Sequence, residues 1–232
     1  MATLYVGTSE GYYATINEAI SAASNGDTII VKGSEYAMTN EKVKIGKTLT
    51  IQAEGDVTVD SFGVGANVAE EHSIVIDGFN FKPTANTTYS SNTSGIYEAG
   101  TSLHNLTVTN CEFGWIGGTI QHYAGTDPNY PEGGRGTVTR FGNGVEIYGG
   151  CEDFLVENCY IYQVYDAAVT HQITTRGRRY TLKDITYRHN LIERCVYGIE
   201  YFLEKTDGDS DSMMENIEIR GNILRLSGYG WG

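Results

Sequence analysis

Long apolar runs are missing from this chain, and so is any bulk positive charge. No stretch of the 232 residues approaches the roughly 18 apolar residues of a membrane-crossing helix, so no membrane span is expected. Sixteen Lys+Arg stand against 29 Asp+Glu, a formal charge of −13. That balance excludes a nucleic-acid partner held by phosphate neutralisation. The four cysteines, Cys111, Cys151, Cys159 and Cys195, are too few for a disulfide scaffold in a chain of this length. No Cys/His spacing resembles a zinc site, so no metal ligands are assigned. Proline is scarce, with three residues, whereas glycine numbers 29, about 12% against an average of roughly 7%. Turns are therefore punctuated by glycine, without the stiffness of proline. Met1 is followed by Ala2-Thr3-Leu4-Tyr5, with neither the charged nor the apolar segment of a secretory signal.

What is present is a folded composition, 40% hydrophobic and 19% charged, read as one domain over 1–232. Tyrosine supplies 17 of the aromatic residues, against 7 Phe and 2 Trp. Such a bias suits surfaces that stack on sugars or peptides, and it equally suits β-strands. A single helical pattern stands near the start. Thr15 and Glu18 have capping-box spacing, and Ile16, Ala19, Ile20 and Ala23 follow at helical intervals before Asn25-Gly26 ends the pattern. Thr28-Ile29-Ile30-Val31 then reads as a strand, and the remainder as strands and turns.

The informative signal is an internal repeat. Eight-residue blocks begin at Leu49, Ile74, Leu106, Phe154, Ile185 and Ile217 and align without gaps. Positions 1 and 3 are apolar or aromatic throughout, and position 8 is apolar in the last five blocks. Positions 5 and 6 carry turn residues such as Gly78, Asn110, Asn158, His189-Asn190 and Gly221-Asn222. Each block is strand, turn, strand. The starts are 25, 32, 48, 31 and 32 residues apart, a minimal coil of 25 residues that tolerates insertions, which is how a solenoid behaves. A third strand per coil shows as a small residue followed by an apolar one: Gly95-Ile96, Gly144-Val145, Ala168-Val169, Gly198-Ile199 and Gly230-Trp231.

These blocks, the capped helix leading into the segment Gly26 to Val31 and the Asn at the turns resemble right-handed parallel β-helices of the pectate-lyase-like superfamily. The segments 142–150, 165–172 and 227–232 also resemble secreted bacterial β-helix proteins thought to act on polysaccharides. The resemblance implies an all-β, right-handed parallel β-helix of about six to seven coils. Its hand agrees with the general rule for parallel connections. Residues 1–27 would form an N-terminal cap over the open end of the coil. It further implies a polysaccharide substrate or ligand and a secreted or cell-surface location. Asn158, Asn190 and Asn222 are expected at bends, bonding backbone or one another, and Cys111 and Cys159 in an inward stack.

Alternation places Val145, Val169 and Ile199 inward. Glu146, Thr170 and Glu200 then face outward, with Tyr148, Gln172 and Phe202 two residues on and Tyr97 in the same row. Coils rise about 4.8 Å each, so Glu146 and Glu200 are expected about 9.6 Å apart at the backbone. Inverting glycosidases separate their acid and base by about 6.5–9.5 Å. Asp166, just before the third strand, is a further catalytic candidate or a turn-bonding residue. His171 is a candidate base, although alternation aligns it with the inward Ile147 and Tyr201. His122 and Arg140 lie in the long insertion 114–143 and are candidates to reach over the groove. The segment Thr119 to Tyr123 could itself be the third strand of that coil.

The Arg176, Arg178 and Arg179 cluster could pair with a uronate or with the protein's own acids. Asp207-Gly208-Asp209 opens like a calcium loop, but the twelfth position of such a loop falls on Glu218, within a strand block, so the segment is read as an acidic solvated loop. The Asn-Thr-Asp, Asp-Asp and Gly-His-Gly motifs of polygalacturonase-like hydrolases are absent, as are the Trp-Ile-Asp-His and Arg-x-Pro-x-x-Arg segments of the best-known pectate lyases. No family mechanism transfers. A glycoside hydrolase with paired carboxylates and no cofactor is the favoured reading. The alternatives are a polysaccharide lyase, to which calcium could belong, and a non-catalytic glycan-binding, adhesin or phage-fibre β-helix. Because no polar cap follows Gly230-Trp231-Gly232, the chain is expected to continue as a longer solenoid or to bury its C-terminal end against a partner.

Overall fold

Three parallel sheets, of eight, six and six strands, wind along the chain as a β-helix. The computed structural model describes residues 1–36, 42–65, 72–82, 94–98, 102–122, 134–140, 142–173, 181–203 and 213–228. For residues 42, 102, 118–122, 134–140, 173 and 203 it describes the backbone alone. Coils opening with the first-sheet strands Leu49–Glu54, Ile74–Asp77, Ser102–Thr109, Gly150–Glu157 and Thr181–Arg188 visit all three sheets in turn. Partial coils flank them, one opening at Asp27–Lys32 and one at Met213–Arg220.

The gap-free block alignment is the hydrogen-bonded register itself. Leu49 pairs with Ile74, Ile74 with Leu106, Leu106 with Phe154, Phe154 with Ile185, and Ile185 with Ile217. At the other end of the block, Phe81, Phe113, Ile161, Ile192 and Leu224 form a second continuous row. Slipping a strand by one residue would turn its apolar set outward. Ile74, Leu106, Phe154, Ile185 and Val156 accordingly fill the interior, each at most 1% exposed. Phe62, Phe81 and Phe113 join them, with Phe81 and Phe113 stacked at 4.7 Å. In the last described coil the equivalent inward positions, Ile219 and Leu224, are about half exposed.

Columns of left-handed residues make the corners. Asn110, Asn158 and His189 have φ between 54° and 57°, and Gly78 and Gly221 continue the column. Asn and Gly adopt that conformation at the least cost, which accounts for position 5 of the repeat. Position 6 turns inward. There Cys111 and Cys159 are buried free thiols, with burial pushing the Cys159 thiol well up. Asn190 continues the column, accepting from the Cys159 amide at 2.9 Å and donating to the Val156 carbonyl at 3.0 Å. Asn222 accepts from the Asn190 amide at 2.9 Å. A buried Asn here therefore replaces lost backbone pairing at the bend.

The small residue ahead of each third-sheet strand also has a packing cause. A Cβ on Gly95 would stand 2.6 Å from the Phe113 ring, and one on Gly198 would stand 2.6 Å from Leu224. The backbone must pass close to the inward side chains of the second sheet. At the N-terminal end, Thr15 caps the helix Ile16–Ala22, its Oγ1 accepting from the Glu18 amide at 3.2 Å. The buried face of that helix is Ile16, Ala19 and Ile20, and Lys47 Nζ donates to the carbonyls of Ile20, Ser21 and Ala23 at its C-terminal end.

The long insertion differs from one sequence reading. Gly118–His122 pairs antiparallel with Gly134–Arg140, away from the coil, and Val145–Tyr148 is the third-sheet strand of its turn. Arg176, Arg178, Arg179, the 207–211 acidic segment and Gly230-Trp231-Gly232 lie outside the described residues.

Candidate carboxylate face

The third sheet brings the outward row together as the alternation requires: Tyr97 beside Glu146, Glu146 beside Thr170, and Thr170 beside Glu200. The second row, Tyr148, Gln172 and Phe202, is equally in register. Tyr148 and Phe202 are 37% and 48% exposed. Tyr97 leans toward the preceding coil over Gly63, where a Cβ would stand 2.8 Å from the ring.

Glu146 departs from expectation. It occupies an outward position, yet it is 2% exposed, because the final residues of two insertions fold over it. Ser94 Oγ and Asn143 Nδ2 both donate to Glu146 Oε2, the latter at 3.0 Å. Asn143 Oδ1 accepts the Ala167 amide at 2.9 Å, fixing the turn that carries Asp166. Sequence reasoning missed both Ser94 and Asn143, because each ends an insertion outside the repeat. Thr170, fully buried, donates through Oγ1 to Glu200 Oε2 at 2.7 Å.

Asp166 completes the group. Burial first, then the charges of Glu200 and Glu146, push its carboxyl up to about 6. The three candidate carboxylates thus share one electrostatic environment, and no ion pair with any of them occurs among the described residues. Tyr197, also missed, is 47% exposed, sits in register with Ala167, and donates its amide to the Asp166 carbonyl at 3.0 Å. The arrangement keeps one carboxyl partly protonated up to about pH 6, among exposed aromatic rings.

His171 is not part of this face. Alternation turns it into the interior, where it is 0% exposed, bonds Tyr187 Oη through Nε2 and stacks on Tyr201 at 5.1 Å. Burial lowers it to about 3. This corrects its place among the catalytic candidates, since neither groove nor solvent reaches it. The same inward row carries Glu98, 7% exposed, whose carboxyl burial pushes up to about 9 against a smaller opposing effect of the Tyr148 backbone. The backbones of His122 and Arg140 lie in the two-stranded extension, paired with Gly134 and Gly118 respectively. Their side chains are outside the described set. No group of three or more His, Cys, Asp or Glu among the described residues is arranged to hold a metal ion, and no described helix is long and apolar enough to cross a membrane.

No protein-family model and no curated protein matches the chain. Solved structures similar to it include the PL6 family alginate lyase AlyGC, at 13% identity, and a mutant of that enzyme, at 12%, each with a TM-score of 0.43. Each comparison covers 97% of this chain and 40% of the other, so the chain spans about two fifths of the length of the lyase it matches.

Proposed function

We propose that the third-sheet face processes a polysaccharide and that the protein is a glycoside hydrolase, secreted or displayed at a cell surface. The observation that carries this reading is the meeting of Asp166, Glu146 and Glu200 on one aromatic-bordered face, with Asp166 raised to about 6. A carboxyl raised by burial and by neighbouring charge can deliver a proton to a glycosidic oxygen in mildly acidic solution. Asp166 is therefore the general acid. Glu200, oriented by Thr170, removes a proton from the water that attacks the anomeric carbon. As that bond forms, the bond to the leaving oxygen breaks and the oxygen takes the Asp166 proton. Glu146, enclosed by Ser94 and Asn143, acts through its charge, which helps hold the proton on Asp166. Tyr97, Tyr148, Gln172 and Phe202 offer ring faces and an amide to sugar units. This chemistry calls for no cofactor.

A panel of neutral and acidic polysaccharides, assayed for new reducing ends and for the ultraviolet absorbance of an unsaturated uronate, tests the proposal. New reducing ends without that absorbance are expected. Absorbance that rises with the ends would replace hydrolysis by β-elimination. Glycan binding without either signal would make this a binding module.

A further inference from the structure

The second sheet carries a separate aromatic surface. Tyr160 and Tyr162 stand two residues apart on one strand, so both project outward, with their rings stacked at 4.5 Å. Both phenols are anchored. Tyr162 Oη donates to Glu112 Oε1 at 2.8 Å, and Glu112 pairs with Lys82 at 3.0 Å. Tyr160 Oη donates to Glu193 Oε1 at 2.9 Å. Gly114 is in register with Tyr162, and a Cβ there would stand 2.4 Å from the ring. Glycine is thus what allows the ring to lie across the neighbouring coil.

Trp115 adjoins this pair. Its φ of 59° places it in a corner column with Gln163, Arg194 and Leu226, at 52°, 53° and 55°. Gln163 and Arg194 are polar, and Leu226 belongs to the last described coil, where it is 59% exposed. Trp115 instead leaves an indole 64% exposed, edge-on to Tyr162 with centroids 6.4 Å apart. The strained corner and the vacated Gly114 position together hold the Trp115 indole in water beside the half-buried Tyr162 ring, where the indole gains little from burial.

The corner also leads into the carboxylate face. The carbonyl of Ile116, next to Trp115, accepts the amide of Tyr165 at 2.8 Å, and Tyr165 precedes Asp166. We propose that Trp115 and Tyr162 form an auxiliary subsite that stacks a pyranose ring of a glycan whose chain continues onto the third-sheet face. This rests on the glycan reading above. The ring's C–H face would lie on the indole, and its hydroxyls would meet Gln163 and the Glu112–Lys82 pair, the mixed apolar and polar surface that a sugar presents.

The test separates this subsite from the catalytic reading. Trp115 and Trp231 are the only tryptophans, so Trp231→Phe leaves one indole reporter. That protein is titrated with cellohexaose, mannohexaose and hexagalacturonate while its emission is followed. A saturable blue shift with one of them is expected. In Asp166→Asn protein, calorimetry with the same hexaose should show Trp115→Ala weakening binding about tenfold or more, with Trp115→Tyr restoring much of it. Hydrolysis of a hexaose with no emission change and no effect of Trp115→Ala would overturn the subsite and leave the hydrolase reading standing. A shift with no cleavage would keep the subsite and overturn the hydrolase. Silence in both would overturn both.

Discussion

Asn143 holds Glu146 with one end of its amide and the Ala167 backbone with the other, at 3.0 and 2.9 Å. One side chain therefore fixes two of the three carboxylates, Glu146 directly and Asp166 through its turn. Asn143→Ala should leave a buried acceptor short of a donor, which costs about 1–3 kcal/mol. Urea unfolding would measure the loss. On any glycan the protein cleaves, kcat should fall more than KM changes, because the variant misplaces the acid and the Glu146 charge that helps hold its proton without touching the aromatic rows.

Asp166→Asn should lower kcat by about 10²- to 10⁴-fold, the usual worth of a positioned acid. The pH dependence has a definite sign. With its folded pKa raised to about 6, the proton-donating form declines above that pH, so the basic limb of the rate profile should fall near it. Glu200 and Glu146 both raise that value, so Glu146→Gln should move the limb toward acid. A profile of kcat/KM for the two proteins checks the direction.

Glu146→Gln is also a stability test. The outward position alone points to a surface substitution of about 0.5 kcal/mol or less, but the enclosed carboxyl, at 2% exposure, gives a larger effect. Gln keeps one acceptor for Ser94 and Asn143 while introducing an amide donor that needs a partner. A destabilisation of about 1–2 kcal/mol is expected. The half-buried Glu200 should show less, and paired unfolding curves would rank the two.

Glu98 should make the fold weaker as pH rises. Its folded pKa, about 9, lies above the unfolded value of 4.5, so the folded state binds the extra proton. That contribution is fully present below about 4.5 and is lost as pH climbs toward 9. Glu98→Gln should flatten the decline in stability across this window, as measured by denaturant midpoints at pH 5, 7 and 9.

Gly144→Ala should be poorly tolerated, since a Cβ there would stand 2.4 Å from the Ala168 carbonyl oxygen. Backbone cannot rotate aside as a side chain can, so a loss of about 1–3 kcal/mol is expected from overpacking.

The coil was legible because its causes are periodic. Leu49, Ile74, Leu106, Phe154, Ile185 and Ile217 must stack to be buried, so aligning them by pattern also aligns their hydrogen bonds. The small residues Gly95, Gly144 and Gly198 were visible as a pattern, although their cause, the inward rings and methyls of the second sheet, was not. Alternation correctly put Glu146, Thr170 and Glu200 in one row and His171 in the interior. It could not reveal that Glu146 would be covered, because Ser94 and Asn143 belong to segments with no periodicity and reach it across 52 and 3 residues of sequence. Tyr197 escaped notice for a related reason, since it lies at a corner, where alternation gives no direction.

The segments leading into the third-sheet strands Ile96–Glu98 and Val145–Tyr148 are departures from the minimal coil, and their last residues, Ser94 and Asn143, close over the same carboxylate. Specificity and folding are thereby assigned to different parts of the chain. The stacked rows set where a loop emerges, while its length and composition set what the face accepts. Exchanging the segment between Lys82 and Ser94 for one of another length should thus retune ligand choice as a plug-in part would, provided its final residue still offers Glu146 a hydroxyl.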